Sequence, residues 1–202
     1  QIAGQALYLD DLFSFFDIKP TITEPANPKP FPVPLKQGIV FDNVGFRYPG
    51  SERFVIRNLN LEIKAGETVA LVGENGAGKT TIVKLMTRLY EAEEGRITID
   101  GIDIRDFSAA DLRTNIGAIF QDFLRYSFTA RENIGVGRIE ETADLPRITR
   151  SAEQSLASEV IERLPRGYDQ QLGKQFEGGQ DLSGGEWQKL AIARAYMREA
   201  EI

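Results

Sequence analysis

Gly73-Glu74-Asn75-Gly76-Ala77-Gly78-Lys79-Thr80 fits the pattern G-x-x-x-x-G-K-[ST]. The chemistry of an anionic ligand accounts for each residue type. Glycines let the backbone wrap with its N–H groups facing inward, which makes a nest for phosphate oxygens. The loop feeds a helix N-terminus, whose dipole adds positive potential. Lys79 has the reach for β- and γ-phosphates, and the Thr80 hydroxyl can hold Mg²⁺. The flanks suit the motif: Glu67–Val72 reads as an apolar strand and Lys79–Tyr90 as a helix. Chance placement in a chain of this length is on the order of one in a hundred, given ordinary glycine usage. The bland alternative is a tight strand-to-helix turn with a surface lysine. The loop by itself leaves kinases, GTPases and motors open.

Working outward, Ile39–Tyr48, Val55–Ile63 and Gly95–Asp100 also read as strands, and Lys64-Ala65-Gly66 as a turn. Ser108-Ala109-Ala110-Asp111 has the form of a helix cap opening Leu112–Asn115, and Ile116–Phe120 is an apolar strand ending at Gln121. From Asp122 onward the pattern turns helical: Thr129–Ile134, Ser151–Leu164 up to Pro165-Arg166-Gly167, and Ser183–Arg198. In the last of these, Trp187, Leu190, Ala191, Ala193 and Met197 are the expected inward positions. On the N-terminal side, Gln1–Lys19 reads as a helix with Leu7, Leu9, Leu12, Phe13, Phe16 and Ile18 on its apolar face. Six of the nine prolines then fall between Pro20 and Pro34, which reads as a stiff extended linker. The expected organisation is thus 1–19 helix, 20–35 linker, 36–121 α/β core and 122–202 helical subdomain.

Composition narrows the chemistry. The 202 residues carry a net charge of −6, which argues against nucleic acid as the main partner. An apolar share of 42% suits a packed core. No apolar run approaches the roughly 20 residues a helix needs to cross a bilayer. The chain contains no Cys and no His, so thiolate chemistry and an imidazole base are excluded. Catalysis would rest on carboxylates, lysine, backbone amides and a metal. Gln1 in place of Met, with no basic n-region behind it, leads us to expect a chain cut from a longer one.

A second glycine motif, Leu182-Ser183-Gly184-Gly185-Glu186, narrows the field further. Read locally, Ser183 followed three residues later by Glu186 is a capping box. Two glycines in a helix's first turn cost about 1 kcal/mol each relative to alanine. They make sense if backbone amides and the Ser183 hydroxyl must approach an anion closely. A phosphate loop followed about a hundred residues later by this segment resembles the nucleotide-binding domain of the ATP-binding cassette (ABC) family. The usual signature there is Leu-Ser-Gly-Gly-Gln, so Glu186 stands where the family has Gln.

The resemblance implies an α/β fold: a P-loop nucleoside-triphosphatase core, mixed β lobe plus parallel sheet, with an α-helical subdomain. It implies ATP and Mg²⁺ as ligands. Gly73 to Thr80 and Thr81 would hold the phosphates, Thr81 at the α-phosphate. Thr80 and Gln121 would hold Mg²⁺, with Lys79 and Gln121 as the catalytic contacts. Tyr48 resembles the aromatic that stacks on adenine, with core packing as its local alternative; for Gln121 the alternative is a solvated strand end. Ser183, Gly184, Gly185 and Glu186 would complete the site of a second nucleotide-binding domain paired head to tail.

Phe120-Gln121-Asp122, Arg131-Glu132-Asn133-Ile134 and Gln175–Gly179 look like exporter members of the family. That implies a transmembrane domain in the same chain, a docking surface around Asp122–Ala130 and Glu177–Gln180, and a place on the cytoplasmic face of a membrane, the bacterial plasma membrane. A soluble ABC ATPase, or a nucleotide-binding interaction module, is the alternative. The family pattern continues with an apolar strand closing in Asp-Glu and later a His. Arg198–Ile202 stands about where that strand begins, so the core is expected to be incomplete at the C-terminus. The 202 residues are then expected to bind ATP without hydrolysing it.

Overall fold

The computed structural model describes residue 9 and residues 11–202. It has two lobes, each with its own apolar core. The first is built on a four-stranded sheet in the order β2-β1-β3-β4, comprising β1 (Gly38–Phe46), β2 (Ile56–Lys64), β3 (Glu94–Ile99) and β4 (Ile102–Asp103). Every pairing in this sheet is antiparallel. Ile39, Phe41, Val44 and Phe46 of β1 are buried, and a register shift between Phe41 and Val44 accommodates the extra residue that keeps Val44 and Phe46 inward. Asp100 and Gly101 both adopt positive φ between β3 and β4, as the tightest hairpin turns require. The Asp100 carboxylate accepts hydrogen bonds from the backbone N–H groups of Lys36, Gln37 and Gly38 at 2.8–2.9 Å, which fixes the entry into β1.

Helix α1 covers residues 11–16. Its apolar face, with Leu9 before it, does not pack: Leu12, Phe13 and Phe16 are exposed, as is Ile18 beyond it. The remaining expected position, Leu7, lies outside the described residues. The proline-rich segment is stitched down rather than free. Lys29 N–H donates to Asp106 O at 2.8 Å and Phe31 N–H to Asp111 Oδ2 at 2.9 Å, while the Phe31 ring packs on Phe107 in the first core.

Helix α2 (Lys79–Met86) is shorter than the expected Lys79–Tyr90. It closes in a Schellman arrangement: Leu89 N–H reaches Lys84 O at 2.9 Å, Arg88 N–H reaches Leu85 O at 3.0 Å, and Arg88 takes a φ of 52°. A left-handed arginine is unfavourable alone. Here its buried guanidinium donates to Phe107 O, Thr23 O and the Glu91 carboxylate, so tertiary bonds hold the conformation. Helix α3 (Ala109–Thr114) starts at Ser108, whose hydroxyl accepts from Asp111 N–H, as the sequence indicates.

The second lobe holds α4 (Ala130–Gly135), α5 (Leu145–Gln154), α6 (Ser158–Ile161) and α7 (Gly184–Tyr196). The single helix expected over Ser151–Leu164 is two. Leu156 adopts φ 58° and Ala157 N–H returns to Ala152 O at 2.8 Å, which ends α5. Its start is also earlier than expected, with Asp144 capping Arg147 N–H and Pro146 in the first turn. All five inward positions predicted for α7 are buried.

The largest departure concerns the expected parallel sheet. Neither residues 67–72 nor residues 116–120 form a strand, and among the described residues no parallel sheet is present. A strand is a property of a ladder, not of a sequence. Residues 68–72 make no backbone hydrogen bond to any described residue, and Val72 is 93% exposed. Beside 116–120 there is one fragment of a ladder. Gly117 N–H donates to Ile202 O at 2.7 Å and Ile202 N–H to Asn115 O at 3.2 Å, the bond pair with which a parallel pairing begins.

Candidate functional site

The phosphate loop runs from Gly73 into α2. The residue before the helix, Gly78, is left-handed at φ 88° and gives no side-chain cap. A Cβ there would meet Ile56 Cγ1 and Val55 O at 3.2 Å, so β2 presses against the loop from behind and glycine is required on two counts. The backbone N–H groups of Gly76, Gly78, Lys79, Thr80 and Thr81 meet no acceptor among the described residues. A helix start normally satisfies such donors with a capping side chain. Here they are left for an external acceptor. The Lys79 ammonium folds back onto Gly73 O and Glu74 O, each at 2.7 Å, both neutral carbonyls that an anion can outbid. The Thr80 side chain is exposed.

Tyr48 lies beside this loop but is not a free flat face. Its hydroxyl and the buried Thr81 hydroxyl are 3.1 Å apart in one hydrogen bond. Its ring meets Phe46 and Tyr90 edge-on, with centroids at 5.0 and 5.1 Å. Lys84 Nζ sits 5.4 Å from the same ring. The structure therefore joins Tyr48 and Thr81 to each other and to the loop, and adds Tyr90 and Lys84, which the sequence reading did not single out. Their signal was present as a lysine on the helix that the loop opens and an aromatic just past its end. Gln121 is exposed in a turn after residues 116–120, and its side chain makes no hydrogen bond with the described residues.

The second glycine motif opens α7 in the helical lobe. Here the capping box is complete. Glu186 Oε2 accepts from Ser183 N–H at 2.8 Å and from the Ser183 hydroxyl at 2.9 Å, and Glu186 N–H donates to Ser183 Oγ. These backbone and hydroxyl donors hold the Glu186 carboxyl below its usual range, helped by Arg163 and Lys189. Beneath it Trp187 is 3% exposed and its indole N–H points at Asp181 Oδ1. Neither Gly184 nor Gly185 has a positive φ, and a Cβ on either would meet open space. Nothing among the described residues demands glycine at these two positions. Among the described residues, no hydrogen bond links residues 73–81 to residues 182–187.

Asp122–Ala130 and Glu177–Gln180 are brought side by side. Gln171 Nε2 donates to Ser127 O at 2.8 Å, Leu172 N–H to Phe128 O at 3.0 Å and Gln170 Nε2 to Gly178 O at 2.8 Å. Buried Asn133 donates to Tyr126 O, Phe128 O and Thr129 O, and Arg194 returns to Asn133, so the first of these loops is held from below. Leu124, Phe128 and Phe176 remain exposed on the outer side.

The sequence pattern of the family described as "ABC transporter" matches residues 56–202. The chain belongs to the ABC transporter family. Among ABC proteins it is similar to the subtilin transport ATP-binding protein SpaT of Bacillus subtilis, 39% identical over 201 residues, covering 100% of this chain and 32% of that protein. An ATP-dependent lipid A-core flippase of Albidiferax ferrireducens is 44% identical over 167 residues, 83% of this chain and 28% of the flippase. The solved structure of a bacterial Atm1-family ABC exporter with ATP bound superposes with a TM-score of 0.85 at 35% identity, covering 98% of this chain and 34% of that one. The fold is thus that of an ABC exporter nucleotide-binding domain, and the chain spans about a third of the length of the relatives it matches. Among the described residues no helix is long and apolar enough to cross a membrane.

Proposed function

We propose that the chain is the ATP-binding domain of an ABC exporter and couples nucleotide binding to movement of a solute across a membrane. The observation that carries this reading is the set of backbone donors at the start of α2, on Gly76 and on Gly78 through Thr81, that meet no acceptor among the described residues. Those donors, with Lys79, fit a polyphosphate, and the exposed Thr80 hydroxyl and Gln121 would be the Mg²⁺ ligands. ATP would be held by Gly73, Glu74, Asn75, Gly76, Ala77, Gly78, Lys79, Thr80 and Thr81. Its adenine would pack on the accessible side of the Tyr48 and Tyr90 cluster, with Tyr48 also fixing Thr81. Mg²⁺ supplies charge neutralisation of the phosphates; every other contact is a task of this chain's own groups.

Ser183, Gly184, Gly185 and Glu186 have no internal reason for their glycines, which suits a surface that closes on the ATP of a second nucleotide-binding domain. The exposed Leu124 and Phe128 on loop 122–130, with Phe176 just before 177–180, suit docking on a transmembrane domain, so the reading favours an exporter at the cytoplasmic face of a membrane over a soluble ATPase. Phosphoryl transfer further needs a water-orienting carboxylate. We place that group, and the γ-phosphate His, outside residues 1–202, so these 202 residues bind ATP without turnover.

Titration of the chain with MgATP, followed by light scattering, tests this. Saturable binding with nucleotide-dependent association of two chains is expected, and no phosphate release above background. Absence of binding at millimolar MgATP overturns the reading of the site; steady phosphate release abolished by Lys79→Ala overturns the assignment of turnover to other residues.

A further inference from the structure

The acid at position 186 poses an electrostatic problem that a glutamine would not. If the start of α7 closes on the γ-phosphate of a second domain's ATP, as proposed above, Glu186 brings a negative charge to an anion. Its carboxylate also competes with that anion for the Ser183 hydroxyl proton, since Ser183 Oγ now donates to Glu186 Oε2 at 2.9 Å.

The structure supplies a counterweight. Arg163, just beyond α6, donates from Nη2 to Glu186 Oε1 at 3.0 Å. Its Nε donates to Glu159 O at 3.0 Å, which anchors the guanidinium on the preceding helix. Lys189, one turn into α7, is held by Glu159 Oε2 at 3.1 Å on the same side. Arginine occupies the outer carboxylate oxygen, while Ser183 occupies the inner one. An oxygen pair engaged this way carries less charge toward the ligand and stays turned away from it.

We propose that Arg163 is a positioning residue for nucleotide-driven pairing. It pins Glu186 back against the backbone N–H of Ser183, cancels the acid's charge, and so frees the Ser183 hydroxyl to turn to the partner domain's phosphate. The Arg163 guanidinium does not touch the nucleotide; it acts through Glu186. As a stabiliser of the fold the pair counts for little, because Arg163 is 68% exposed.

The test is a double-mutant cycle on MgATP-driven association of the chain, read as the ATP concentration at half-maximal light scattering. Arg163→Ala is expected to raise that concentration roughly 3- to 10-fold, the scale of one partly screened charge facing an anion. Arg163→Lys is expected to recover most of the loss, and the melting temperature is expected to stay unchanged. In a Glu186→Gln background, Arg163→Ala is expected to change the half-point less than about 2-fold, since no charge remains to cancel. The Arg163→Ala effect is also expected to shrink in high salt. Equal losses with Glu186 present and in the Glu186→Gln background, or no loss in either, overturn the role of Arg163. If Ser183→Ala and Gly185→Glu leave ATP-driven association intact, or if the chain does not associate with ATP at all, the partner-facing reading of α7 fails first and takes the proposal with it.

Discussion

The two glycine-bearing helix starts of this chain are built in opposite ways. At α2 the cap is a left-handed glycine with no side chain to offer, and the first-turn donors meet no acceptor among the described residues. At α7 the cap is a serine locked in a reciprocal box with Glu186, which engages the Ser183 N–H, the Ser183 hydroxyl and the Glu186 N–H, while the N–H groups of Gly184 and Gly185 meet no acceptor among the described residues. The first start has no side chain to cap it; the second is half-satisfied and must release a bond before its serine hydroxyl can take a ligand. An anion at α2 can therefore gain five backbone donors and Lys79, whereas at α7 it can gain two glycine N–H groups and, at the Ser183 hydroxyl, only the difference between itself and Glu186. On the proposed reading, primary nucleotide binding falls to the first site and a weaker, conditional contact to the second.

The largest expected effect separates the two lobes. Trp187 sits in the second core and has no part in the first. Trp187→Ala should cost about 3–5 kcal/mol of stability, the range for deleting a buried aromatic. Urea unfolding followed in the helical lobe should shift by that amount, while MgATP affinity at α2, measured below the transition, should move less than about 2-fold. A large parallel loss of affinity would show that the two starts are mechanically one unit.

Next comes the ligand contact itself. Lys79→Ala removes a charge-assisted bond worth about 1.5–3 kcal/mol, or roughly 10- to 100-fold in MgATP affinity. Calorimetric titration checks this. Melting without nucleotide should hardly change, because the bonds that Lys79 makes to Gly73 O and Glu74 O are exposed. At α7, Ser183→Ala should cost about 1 kcal/mol of stability with no nucleotide present, the usual worth of an N-cap. Thermal melting of the ligand-free chain measures it. If Ser183→Ala is silent there, the box is not the resting state and the contrast with α2 disappears.

Both helix starts were legible in the sequence because each is local chemistry: a glycine nest with a lysine, and a serine three residues before an acid. The α7 inward face was legible for the same reason, since Trp187, Leu190 and Ala191 follow a single helix period. What could not be read locally is what depends on partners far along the chain. Val69 and Leu71 look like strand residues, but a strand forms only beside another, and residues 68–72 have none among those described. The prolines of 20–34 read as a stiff extended linker, yet Arg88 reaches Thr23 O, and Glu24 accepts from Ala109 N–H at 3.1 Å across 85 residues. Tyr48 was read as an adenine platform. Its bond to Thr81 was invisible because it joins a strand end to a helix that only the fold brings together.

The smallest expected effect concerns pH and acts on α7 alone. The folded Glu186 carboxyl lies below its ordinary value because Ser183 N–H, the Ser183 hydroxyl and Arg163 all favour its ionised form. A carboxyl depressed by folding contributes stability above its unfolded pKa of about 4.3, and that contribution is lost as pH falls through the lower folded value. The loss is only part of the roughly 1 kcal/mol carried by the cap, because the protonated acid still accepts from Ser183 N–H. Melting temperatures of the chain and of Glu186→Gln, taken from pH 7 down to pH 3, should therefore run parallel to about pH 5. Below that the unmodified chain should lose its excess, while Glu186→Gln, with nothing to protonate at this position, keeps its offset from the remaining carboxylates. Glu132 caps α4 in the same way and is likewise depressed by Thr129, so it titrates in both proteins and cancels in the difference. A difference curve that stays flat to pH 3 would mean that Glu186 is not held by Ser183. The two helix starts would then be alike in waiting for a ligand.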